Sequence, residues 1–153
     1  MDKLTALQEI HRFLEVSYSK LGALSTVYND APQTVFVYFA VDEENNIYFA
    51  TRADSRKYTN IMSNPKVSFA VVSEDLLGTV QLEGKAEIVT DPDLQRTLFS
   101  KLKSLGDNRQ DTLPVNQYST TGEMIYFKIV PTWARLSDFK EKGTSPVFHE
   151  VTF

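Results

Sequence analysis

The chain has 153 residues, no cysteine and a formal net charge of −4, from 16 basic and 20 acidic residues. A domain of about this size buries roughly 70% of the surface its unfolded chain exposes, so a packed core needs no staple, and zero cysteine removes disulfides, thiolate zinc sites and cysteine nucleophiles. The acidic balance argues against a nucleic-acid binder held by phosphate neutralisation, the first ten residues lack the regions of a signal peptide, and no apolar run is long enough to span a membrane. The expectation is a cytoplasmic protein with one domain over residues 1–153, in which any redox chemistry must come from a cofactor.

Leu4, Leu7, Ile10, Phe13 and Leu14 recur at helical spacing, which predicts an amphipathic helix over about the first eighteen residues. Residues 21–28 and 34–41 read as strands separated by Asn29-Asp-Ala-Pro-Gln33, and Asp42-Glu-Glu-Asn-Asn46 is a turn into a third strand at 47–51. A short helix begins after Ser55 with Tyr58, Ile61 and Met62 as its apolar side, and Asn64-Pro65 stops it. Strand character returns at 66–73 and at 79–89, where Val80, Leu82, Gly84, Ala86 and Ile88 alternate with polar residues and Gly84 suggests a bend or bulge. Asp91-Pro92 starts a second long helix with Leu94, Leu98, Phe99, Leu102 and Leu105 on its buried side. Residues 106–123 are polar and irregular, 124–139 read as a strand broken at Pro131, and 147–153 as an edge strand.

The short helix carries the clearest chemical signal. Ser55 is a good N-cap, and Arg56 and Lys57 fall in the first turn, where the helix dipole favours negative charge and free N–H groups point outward. Two adjacent cations there suit an anion, with phosphate the natural guest. The plainer reading is a solvated surface helix whose charge Asp54 partly offsets.

Other residues give less. His11 reads as a surface residue of the first helix, and His149 as an exposed terminal histidine. Glu43-Glu44 belongs to a turn rather than to a catalytic pair, and no serine-histidine-acid arrangement is suggested. Trp133, Arg135 and Ser137 share one face of a regular strand, either as a binding face or as an interface tryptophan beside a solvated arginine.

Thr51, Ser55-Arg-Lys57, Asn64-Pro-x-Val-Ser68, Val80-x-x-x-Gly84-x-Ala-Glu87 and a late strand containing Pro131 together resemble the pyridoxamine 5'-phosphate oxidase-like family of FMN-binding split barrels, in register over about residues 20–138. The resemblance implies a mainly β fold with flanking helices, a six-stranded split barrel, and a homodimer with two FMN molecules in clefts between subunits. It further implies that Ser55, Arg56 and Lys57 hold the FMN phosphate and that Thr51 contacts the flavin side. Main-chain groups of Val37 and Tyr38 would line the ring, and Thr79 and Gln81 would contact the cofactor. Trp133 and Arg135 would reach the partner's flavin, and Phe36, Tyr38 or Trp133 would wall the cleft.

The departures from the family narrow its activity. The vitamin B6 oxidases carry an Arg and a Lys on the second strand, where this chain has Val35-Phe-Val-Tyr-Phe-Ala40. Their Arg-x-His-Asp-Arg substrate motif is matched only by Arg135-Leu-Ser-Asp-Phe139, or not at all if Pro131-Thr-Trp-Ala-Arg-Leu136 is the family's late strand. Both alignments argue against pyridoxamine 5'-phosphate oxidation and towards the small general-stress-type members. The leading expectation is an FMN-dependent oxidoreductase acting on a small molecule. The alternatives are a non-catalytic flavin-binding or stress-sensing protein, or a member that takes deazaflavin F420 or haem.

Overall fold

The computed structural model describes residues 2–17, 20–107, 124–139 and 145–153. Its elements, in chain order, are α1 (Lys3–Val16), β1 (Leu21–Tyr28), β2 (Ala31–Tyr38), β3 (Ala40–Val41), β4 (Ile47–Arg52), α2 (Arg56–Ser63), β5 (Lys66–Val72), β6 (Gly78–Ile88), α3 (Pro92–Asp107), β7 (Met124–Asp138) and β8 (Val147–Thr152). The strands pair antiparallel in the order β2-β1-β5-β6-β7-β4-β3, with β8 on the second half of β7. β2 and β3 are one stretch of chain kinked at Phe39, so the two ends of the sheet are joined through a single segment and the sheet curls into a split β-barrel.

Alternation drives this curl. β5 buries Val67, Phe69 and Val71 and exposes the residues between them, and β6 turns Val80, Leu82 and Ala86 inward against Phe127 and Ile129 of β7. Rings fill the centre: Phe39 meets Phe69 edge-on at 5.3 Å and Phe49 stacks on Phe127 at 5.4 Å. Gly22 admits the Phe69 ring, since a Cβ there would lie 2.1 Å from it. α1 adds Ala6, Ile10 and Leu14 to this core, and each large side chain so buried stabilises by about 1.5–3 kcal/mol. Leu4, expected on the buried face, is exposed. α3 covers a second cluster in which Leu98 and Leu102 pack on Tyr48, Val89 and Tyr126. Its start is as expected, with the Asp91 carboxylate accepting from the amide of Asp93 at 3.0 Å. No described helix is long and apolar enough to cross a membrane.

Three expectations need correction. The separation of β1 from β2 is a two-residue turn, with Asn29 and Asp30 both at positive φ and Tyr28 paired with Ala31, so β2 begins three residues earlier than its composition suggested. Pro32 is tolerated because β2 pairs only with β1 along its length. Pro131 does not break β7: the register with β6 shifts between Glu83 and Gly84, so Gly84 faces Pro131 and the strand bulges instead of ending. A Cβ on Gly84 would stand 2.3 Å from the Val130 carbonyl oxygen, which explains the glycine. The irregular segment expected at 106–123 lies from residue 108 onward outside the described residues, and Gly106 and Asp107 belong to the end of α3.

Candidate functional site

The sequence-predicted phosphate residues converge where β4 runs into α2. Thr51, buried at the end of β4, places its Oγ1 2.8 Å from Ser55 Oγ, and Ser55 Oγ in turn accepts from the Tyr58 amide at 3.2 Å as the N-cap of α2. The cap fixes where the helix starts, so the side chains of Arg56 and Lys57 stand in its first turn, which contains no acidic residue. Asp54 is not their counter-ion. Arg52 engages it with two bonds of 2.7 Å, from Nε and from its terminal nitrogen.

Arg56 is exposed and Lys57 half-buried, and among the described residues neither side chain makes a hydrogen bond or an ion pair. Burial alone pushes the Lys57 ammonium below the ordinary lysine pKa, with no carboxylate to hold it up. Two cations, the unpaired amides of a first helical turn and the positive end of the dipole thus share one place without a negative charge. That donor set fits a phosphate monoester, whose oxygens accept several charge-assisted bonds at once.

α2 is held against the barrel by a group that the apolar pattern did not reveal. Met62, expected on the buried side, is exposed, and Asn60 is buried in its place. The Asn60 amide nitrogen donates to Thr26 Oγ1 at 2.9 Å and to Gln33 Oε1 at 2.7 Å. Thr26 of β1 and Gln33 of β2 are a cross-strand pair, so both hydrogens of one amide clamp the hairpin to the helix. An asparagine in the middle of a helix, three residues after Lys57, was the available signal.

The remaining predicted residues lie elsewhere. Val37 points into the barrel core and Tyr38 packs on the cluster under α3, which leaves main-chain groups of β2 as what this strand can offer a ligand. No described strand pairs with the far edge of β2, and Phe36 is exposed on that strand. Thr79, Gln81, Trp133 and Arg135 sit on β6 and β7, where Gln81 faces Arg135 and Thr79 faces Ser137. Thr51 pairs with Ile125 near the start of β7, so the two groups are separated by about 30 Å of strand.

Arg135 is already engaged. Its guanidinium bonds Glu150 at 3.2 Å and lies 5.5 Å from the Trp133 ring centre and 5.3 Å from that of Phe148, while Trp133 Nε1 donates to the same carboxylate at 2.8 Å. Only its Nε is buried without a partner. An open groove of about 500 Å³ on the outer face, beside the Gly84 bulge and lined by Ser25, Ser68, Lys66, Lys85 and Thr132, includes none of the predicted site residues.

Neither histidine is a plainly exposed residue. His11 is half-buried, with Nδ1 3.2 Å from Asn45 Oδ1 and Nε2 3.6 Å from the Glu43 carboxylate, so it ties α1 to the turn before β4. His149 is half-buried on β8 opposite Leu136. Among the described residues no group of three or more histidine, aspartate or glutamate side chains is arranged to hold a metal ion.

Comparison with known proteins bears on the family and the fold. The family model described as pyridoxamine 5'-phosphate oxidase matches residues 6–137. Among solved structures, general stress protein 26 from Bacillus anthracis is 24% identical with a TM-score of 0.67, covering 96% of this chain and 98% of its own. A pyridoxamine 5'-phosphate oxidase-related, FMN-binding protein from Nostoc punctiforme is 13% identical with a TM-score of 0.64, covering 99% and 95%. A haem-binding protein from Mycobacterium smegmatis is 17% identical with a TM-score of 0.72, covering 96% of this chain and 57% of its own. No match is found among curated proteins.

Proposed function

The chain belongs to the pyridoxamine 5'-phosphate oxidase family, and from that premise we propose that it is an FMN-binding oxidoreductase, active as a two-fold homodimer on a small-molecule redox substrate. The observation that carries this reading is the uncompensated Arg56–Lys57 pair in the first turn of α2. Ser55, Arg56 and Lys57 hold the phosphate, Thr51 supports Ser55 and faces the flavin side, and main-chain groups at Val37 and Tyr38 on β2 line the ring. Thr79, Gln81, Trp133 and Arg135 lie about ten residues further along β7 than Ile125, the partner of Thr51. They are assigned to the cofactor held by the second copy, with Trp133 and Phe36 as apolar walls of the shared cleft.

When bound, the flavin supplies hydride or electron transfer, and the chain supplies binding, orientation and exclusion of water. Val35–Ala40 offers no cation to a second phosphate, so pyridoxal phosphate formation at enzyme-like rates, about one per second or faster, is not expected. A non-catalytic flavin-binding role is the second reading, favoured by one observation: among the described residues, the side-chain hydrogen bonds that Thr51 and Ser55 make at the start of α2 involve no histidine or carboxylate.

The absorption spectrum of the purified protein and its response to NADH and NADPH test both readings. A flavin spectrum that bleaches supports the oxidoreductase, a bound flavin inert to reductant supports the non-catalytic role, and a haem or deazaflavin spectrum overturns FMN. A monomer by light scattering at micromolar concentration would overturn the shared cleft.

A further inference from the structure

α2 meets the β1–β2 hairpin through the Asn60 fork. Asn60 is 4% exposed and Thr26 is 3% exposed, so this is a polar contact made where an apolar residue would ordinarily pack and where each unpaired group costs free energy. Its geometry is demanding: one amide must present both hydrogens to acceptors on two adjacent strands, which fixes the helix in rotation and in height at once. Lys57 and Asn60 are three residues apart and share a helix face. Gln33, the second acceptor, lies on the strand that continues to Val37 and Tyr38.

We propose that Asn60 is a positioning residue that sets the distance between the anion-binding turn of α2 and the main-chain edge of β2, and so makes phosphate and ring contacts simultaneous in one bound FMN. The inference rests on the FMN reading above. A ligand held at two ends gains from the second contact only when the span between the two sites matches its length. In the free chain no other described side chain joins α2 to β2 by a hydrogen bond. Tyr58 and Ile61 pack α2 on the barrel through apolar contact, which resists separation but tolerates sliding.

The test compares FMN with riboflavin, which has the ring and the ribityl chain but no phosphate. Titrations of apoprotein by flavin fluorescence are run for wild type, Asn60→Ala and Gln33→Met; the last keeps the Asn60–Thr26 bond and cuts only the link to β2. For Asn60→Ala the expected result is an FMN dissociation constant raised about tenfold or more with that of riboflavin changed less than about threefold, so the preference for FMN shrinks. Gln33→Met should shift the preference in the same direction by about threefold or more, which keeps the test available if Asn60→Ala does not fold. An unchanged FMN preference in a folded variant, whether or not both flavins weaken together, would overturn the positioning role while leaving the FMN reading intact. Wild-type protein that binds neither flavin would overturn both.

Discussion

Two cationic places on this barrel look alike in composition and differ in their electrostatics. On the outer face Arg135 is bonded to Glu150 and flanked by Trp133 and Phe148, so its charge is answered within the chain even though its buried Nε has no partner. At the start of α2, Arg56 and Lys57 have no partner among the described residues, and the nearest acid, Asp54, is occupied by Arg52. Lys20 sharpens the contrast: it too is half-buried, yet its ammonium donates to the Leu14 and Glu15 carbonyls at 2.7 and 2.5 Å. A cation whose needs are met internally contributes to packing. One left unmet at a helix start, at a cost to the free protein, points to a ligand that meets them.

Converting both Arg56 and Lys57 to alanine should weaken FMN binding about a hundredfold or more, because each charge-assisted contact is worth about 1.5–3 kcal/mol, while riboflavin affinity hardly changes. The free protein should keep its stability or gain a little, since removing cations from a helix start relieves about 0.3–1 kcal/mol each. Thermal denaturation with and without FMN reads both effects. A double variant that unfolds without cofactor, while wild type does not, would give the pair a structural role.

Burial lowers the Lys57 pKa in the free protein, so between that value and the unfolded value of about 10.4 the unfolded chain holds a proton that the folded chain has released. The Lys57 contribution to the stability of the free protein should therefore become more favourable with pH across that window, its penalty being fully present below it. A bound phosphate raises the pKa again, so FMN affinity should fall as pH rises through the lowered value. Denaturation and titration of wild type and of Lys57→Met side by side through that window should show both effects as the difference between the two proteins.

The smallest expected effect comes from the answered cation. Arg135→Met loses a half-exposed ion pair and its contact with two rings, a stability change of about 1 kcal/mol. It should lower affinity for FMN and riboflavin together, by less than about tenfold, because this residue is assigned to the ring and not to the phosphate. A selective loss of FMN would show that the two places had been distinguished wrongly.

How much of this was legible in the sequence depends on what each element is built from. β5 and β6 follow a two-residue alternation that maps onto inward and outward faces as far as Ala86, Ile88 being exposed where the alternation would bury it, and the Ser55 cap and the Asp91-Pro92 start mark helices by local chemistry. The start of β2 was hidden because Asn-Asp-Ala-Pro-Gln has the composition of a loop, whereas only Asn29 and Asp30 turn and Pro32 sits on a strand without a second neighbour. Pro131 looked like a strand end because the residue opposite it, Gly84, belongs to a distant part of the chain that the local pattern does not pair with it. Apolar spacing ranks Met62 above Asn60, whose worth depends on Thr26 and Gln33, which lie 34 and 27 residues away and become acceptors only after the hairpin forms. The separation of Thr51 from Gln81 likewise depends on strand order, which no local motif encodes.

Whether the start of α2 holds a phosphate is read most directly by titrating wild-type apoprotein with FMN and with riboflavin and following flavin fluorescence. The unanswered Arg56–Lys57 pair predicts that FMN binds tighter by about a hundredfold, the difference being the phosphate alone. Equal affinity for the two flavins would contradict it, because a phosphate that gains nothing from these cations is not bound by them.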